Sequence, residues 1–106
     1  MTFYPTSFGT SNGWNYILFS NKYIHAWRDF NAIMNQGTNI ETFNLPFTMA
    51  DANYSIIVNS ALWRVNVARN NNYDRTTTTC VIAWNVETGN YGTYEVLNMV
   101  LDGYIA

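Results

Sequence analysis

Apolar residues recur along this chain with a period of two, and no segment sustains the 3.6-residue spacing of a helix. Thr76 to Asn85 shows it best: Thr77, Thr79, Val81 and Ala83 fall on one face, and Thr78, Cys80, Ile82 and Trp84 on the other. Leu62 to Ala68 sets Trp63, Val65 and Val67 against Arg64, Asn66 and Ala68, a half-buried strand. Tyr23 to Phe30 divides into Tyr23, His25, Trp27 and Asp29, and into Ile24, Ala26, Arg28 and Phe30. The second set is the more apolar and is expected to face a core, with Arg28 near the strand end.

The remaining segments follow the same reading. Asn15 to Phe19 is a short strand, and Ser20, Asn21 and Lys22 turn it into the Tyr23 strand as a hairpin. Asn31 to Asn39 is expected as a loop. Glu41 to Asn44 is a short strand stopped by Pro46, which has no amide hydrogen for a ladder. Met49 to Asn53 is a turn and Tyr54 to Asn59 a strand. Arg69 to Asp74 and Glu87 to Tyr91 are turns. Tyr94 to Leu101 is a strand, because Tyr94, Val96 and Val100 favour that state; Asp102-Gly103 is expected to interrupt it before Tyr104 and Ile105. Residues 1–13, with Pro5, Gly9 and Gly13, read as an irregular arm or connector. Residues 14–106 then form one all-β domain: a small antiparallel β-sandwich of six to eight short strands.

At 106 residues the chain holds one domain. Charged side chains make up 11% of it, against about 25% in ordinary soluble domains. Five Lys and Arg are too few to neutralise a row of phosphates, so no nucleic-acid partner is expected. A 48% hydrophobic content argues against disorder. Cys80 has no second cysteine with which to build a disulfide framework. No apolar run is long enough for a spanning helix, so membrane insertion is not expected, and the N-terminus lacks the charge and apolar core of a signal peptide. Polarity comes instead from neutral groups, including 16 asparagines, which meet hydroxyl-rich ligands without the cost of desolvating a charge.

Catalytic chemistry finds little support. His25 is the single histidine, and Asp29, four residues along the same strand, would lie about 13 Å away, too far to orient it. No metal set, nucleophile elbow or phosphate cradle is present in the sequence, so neither an enzyme nor a cofactor is expected. Cys80 is expected as a buried small apolar residue.

Three stretches together resemble the C-terminal domain of bacteriophage tail-fibre proteins, a small sandwich at the fibre tip. The first is Tyr16-Ile17-Leu18 with Asn21-Lys22-Tyr23-Ile24-His25-Ala26-Trp27, Lys22 standing where the family has a turn glycine and Ala26 where it has glutamine. The second is Phe43-Asn44-Leu45-Pro46-Phe47-Thr48-Met49 followed by Asn53 to Val58. The third is Thr77 to Ile82 with Met99-Val100-Leu101-Asp102-Gly103-Tyr104. The resemblance covers residues 14–106. It implies a homotrimer at the distal end of a virion's tail fibre, joined to an upstream shaft and made in the host cytoplasm. Such a tip binds a bacterial surface glycan or lipopolysaccharide. A structural trimerisation cap without a ligand, and a cellular lectin-like adhesin module, are the alternatives.

Two sets of residues are expected to carry these roles. Tyr23, His25 and Trp27 form the candidate subunit contact. The candidate ligand site is the loop Arg69, Asn70, Asn71, Asn72, Tyr73, Asp74 and Arg75, with Asn90 and Tyr91 beside it: amides and a carboxylate for hydroxyls, a ring to stack on a sugar, and arginines that favour an acidic one.

Overall fold

The computed structural model describes residues 3–59, 65–70, 75–86 and 94–106. The chain folds into two antiparallel sheets that face each other. Among the described residues there are eight strands: β1 (Pro5–Ser11), β2 (Trp14–Phe19), β3 (Tyr23–Ile33), β4 (Gly37–Asn44), β5 (Ser55–Asn59), β6 (Val65–Asn70), β7 (Thr79–Val86) and β8 (Tyr94–Tyr104). One sheet has the order β1-β2-β3-β8-β5 and the other β4-β7-β6. No helix forms among the described residues.

The alternation fills the space between the sheets. Ile24, Ala26, Phe30 and Ala32 of β3 and Leu97, Met99 and Leu101 of β8 meet Phe43 of β4 and Cys80, Ile82, Trp84 and Val86 of β7. Phe30 links the layers, its ring 5.0 Å from that of Phe43 and 5.6 Å from that of Trp84. Arg28 lies on the core face of β3 as expected. Its guanidinium sits over the rings of Phe43 and Trp14, at 5.0 and 5.9 Å.

Three segments differ from the sequence reading. Pro5–Ser11, within the stretch expected to be irregular, is an edge strand paired with β2. Asn12 and Gly13 make this possible: both have positive φ, 50° and 83°, as a two-residue type I′ hairpin turn requires. The turn is then tied to the opposite sheet. Ser11 Oγ, Asn12 Nδ2 and Trp14 Nε1 donate to the carbonyls of Pro46, Leu45 and Asn44, at 2.6, 2.7 and 2.8 Å. These three side chains meet three consecutive carbonyls of a segment whose Pro46 cannot extend a ladder.

The loop expected over residues 31–39 is two strand ends and a short connection. β3 continues to Ile33 because Ala32 and then Met34 carry its buried face onward. The carbonyl of Ile33 accepts from Trp84 Nε1 at 2.9 Å. Asp102-Gly103 does not interrupt β8 either. Gly103 pairs with Ile24, and a Cβ added there would come within 2.8 Å of Tyr54 Cβ and 2.9 Å of Met49 Cε. The glycine lets the chain ending β5's approach pack directly on β8, rather than breaking the strand.

Candidate functional site

The outward face of the five-stranded sheet is assembled from β1, β2, β3, β8 and β5 by register. Phe8 pairs with Ile17, Ile17 with His25, His25 with Asp102, and Asp102 with Ser55. One row along, Asn15, Trp27, Val100 and Ile57 stand side by side. On the other flank Tyr23 pairs with Tyr104, their rings 5.7 Å apart, and Phe19 approaches Tyr23 at 5.6 Å. Phe8 is 68% exposed, Ile57 and Tyr104 each 55%. The result is an aromatic and aliphatic surface interrupted by His25, Asp102 and Ser55, on which Tyr23, His25 and Trp27, the residues singled out in the sequence, stand together.

Its polar centre is Asp102. One carboxylate oxygen accepts from His25 Nδ1 at 2.7 Å and also from the hydroxyl of Tyr23. Burial, followed by the hydrogen bond to Asp102 and its negative charge, pushes the Tyr23 hydroxyl up to about 12. The bond to Asp102 places a proton on His25 Nδ1, so that in the neutral ring Nε2 is an acceptor. Sequence spacing pointed to Asp29 as the nearest acid and rejected it on distance. The acid that does orient the histidine comes from β8, 77 residues away along the chain. In the sequence Asp102-Gly103 reads as a break after Leu101, and only the β3–β8 register brings Asp102 to His25. Ser55 stands opposite Asp102, not His25, and among the described residues no hydroxyl or thiol is hydrogen-bonded to the ring. Among the described residues no three His, Cys, Asp or Glu side chains gather to hold a metal.

The expected ligand loop is placed differently. Arg69 and Asn70 are not in a loop; they belong to β6 and pair with Ala83 and Ile82, because the β6–β7 ladder runs on past Ala68. Residues 71–74, 90 and 91 lie outside the described residues. Arg75 has a structural post: its guanidinium lies 4.9 Å over the ring of Tyr54 and donates to the Tyr54 carbonyl. Tyr54 in turn directs its hydroxyl at the carbonyls of Thr76 and Thr79, each at 2.8 Å. Burial raises that hydroxyl to about 12, the nearby Cys80 adding to the effect and Arg75 opposing it. Cys80 is buried in the core, and burial pushes its thiol up to about 11 against the pull of Arg28 and Arg75.

No family model, no curated protein and no solved structure matches this chain. The geometry of the sheet face therefore stands as the leading indication of function.

Proposed function

We propose that this chain is a self-assembling recognition module, the tip domain of a phage tail fibre, which forms a homotrimer and binds a glycan on the host surface. The observation that carries the reading is the outward face of the five-stranded sheet. Five strands each about 4.8 Å wide and three rows each about 6.8 Å deep give the patch a footprint of about 500 Å². Three such faces turned to a common axis would together remove about 1,500 Å² from water. Its polar centre is a histidine–carboxylate pair that is already satisfied, so covering it strands little charge. The elongated form, 51 × 24 × 22 Å, and the scarcity of charge suit a module stacked at the end of a shaft.

Sedimentation of the full chain at micromolar concentration tests the assembly. A mass three times that of the chain is expected, falling to a monomer in Trp27→Glu and in Ile57→Glu. A parent that sediments as a monomer would overturn the fibre-tip reading. Adherence to a panel of bacterial cells tests recognition, and a trimer that adheres to none of them would favour a cap without a ligand.

A further inference from the structure

We propose that the cleft between the β1–β2 turn and the segment following β4 is a binding site for one neutral sugar ring. This rests on the glycan-binding reading above and gives it a location other than the Arg69–Arg75 loop.

The cleft has a volume of about 290 Å³ and is framed by Asn12, Asn44, Pro46, Phe47, Thr48 and Thr78. That lies at the small end of the roughly 300–1,000 Å³ range of ligand pockets, the size for a single ring rather than a chain of them. Its walls are held in place before any ligand arrives. The carbonyls of Asn44, Leu45 and Pro46 are taken by Trp14, Asn12 and Ser11. Leu45 N donates to the Thr78 carbonyl at 2.9 Å, and Arg28 Nη1 holds the Asn12 carbonyl at 3.1 Å. A cleft fixed by so many bonds loses little freedom on binding.

The groups left over define the ligand. With its Nδ2 tied to Leu45, Asn12 keeps Oδ1 as an acceptor. The Asn44 amide and the Thr48 hydroxyl lie on the rim and make no hydrogen bond among the described residues. The Thr78 hydroxyl has only a 3.4 Å approach to Thr76 Oγ1. These are neutral donors and acceptors, matched to hydroxyls that both give and accept. Phe47, half-buried with its ring 4.9 Å from that of Tyr16, adds the apolar surface against which the C–H face of a pyranose packs. Among the described residues no charged side chain lines the cleft, and Arg28 spends its guanidinium on the Asn12 carbonyl and on two rings. Nothing there compensates the desolvation of a carboxylate or phosphate, so an acidic sugar is disfavoured.

The test is an amide NMR titration of the full chain with methyl α-glucopyranoside, methyl β-galactopyranoside, N-acetylglucosamine and glucuronic acid. At least one neutral sugar is expected to give saturable shifts confined to Asn12, residues 44–48 and Thr78, with glucuronic acid weaker. Asn44→Ala removes an amide that bonds to no described residue, and Thr78→Val a hydroxyl whose one such contact is the 3.4 Å approach to Thr76 Oγ1. Each is expected to weaken binding about 2- to 10-fold, the value of one hydrogen bond, with an unchanged melting temperature. Shifts absent from these amides for every neutral sugar, or an affinity in both variants equal to that of the parent, would overturn the site. The readings separate. Sugar bound in the cleft by a protein that adheres to no cell keeps the site and removes the fibre-tip role. Adherence to cells that survives Asn44→Ala/Thr78→Val keeps the role and removes the site.

Discussion

Trp14 Nε1 donates to the carbonyl of Asn44 across a distance of 2.8 Å, and so joins the second strand of one sheet to the end of the first strand of the other. Trp14 is fully buried, and its neighbours Ser11 and Asn12 repeat the link to Pro46 and Leu45. Trp14→Phe keeps most of the apolar volume and removes the donor. It is expected to cost about 1–3 kcal/mol in urea unfolding, whereas Trp14→Ala, which also opens a cavity, should cost about 3–5 kcal/mol. Equal losses in the two variants would show that the hydrogen bond contributes the whole effect.

Gly103→Ala is expected to destabilise the fold by about 1–3 kcal/mol, the range for overpacking a filled site. The added methyl would lie 2.8 Å from Tyr54 Cβ, on a residue anchored by its hydroxyl and by Arg75. Thermal melting measures it. An unchanged midpoint would mean that β5 and its approach yield more easily than this packing implies.

Two turn positions should respond in opposite directions. Lys22 holds φ at 69° in the turn between β2 and β3, a region that costs a non-glycine residue about 1 kcal/mol. Lys22→Gly is therefore expected to raise stability by about 0.5–1 kcal/mol. Gly13 has φ of 83°, and a Cβ there would meet Arg28 Nη1 at 2.9 Å, so Gly13→Ala should lower stability by more than 1 kcal/mol, or about that much if Arg28 swings aside. Parallel denaturant curves of the two variants decide the signs.

Alkaline pH should loosen the core at Tyr54. Its hydroxyl is raised from 10 to about 12 in the fold, so the folded state holds the proton more tightly than the unfolded chain. That contribution is complete below pH 10 and is lost as pH rises towards about 12. Tyrosinate absorbance should therefore show a late fraction in the native protein, coinciding with unfolding, which diminishes in Tyr54→Phe. A single titration near the ordinary tyrosine value would contradict the buried hydroxyl.

The Cys80 thiol, buried and raised to about 11, should react with a disulfide reagent only through opening of the fold. Its rate should rise in step with any destabilising substitution above. Rapid modification of the stable native protein at neutral pH would place the thiol at the surface.

The strands were legible because alternation is local: neighbouring side chains of a strand point to opposite sides whatever it pairs with. Ile24, Ala26 and Phe30 announced the core side of β3, and Cys80, Ile82 and Trp84 that of β7, from their own order along the chain. Asn-Gly is the strongest short-range hairpin signal, yet the Pro, Ser and Thr around Asn12-Gly13 give residues 1–13 the pattern of an irregular arm and hide both the turn and an edge strand. The role of Gly103 was not legible either. A glycine inside a strand pattern signals either a break or a close approach, and only the position of Tyr54 and Met49 distinguishes them.

The candidate sites belong to pairing, which carries no local signal. Composition and period two were enough to make the chain all-β, to choose the buried face of β3, and to leave Tyr23, His25 and Trp27 on its other face. Beyond the β2–β3 hairpin, register and strand order came from the tertiary structure alone. They set Asp102 against His25, spread one apolar surface over five strands, and carried the Asn12 turn to the carbonyls after β4. The physical reason is that every strand offers the same ladder of amides and carbonyls. Which partner it takes is decided by how all the inward side chains pack together, and that is a property of the whole core.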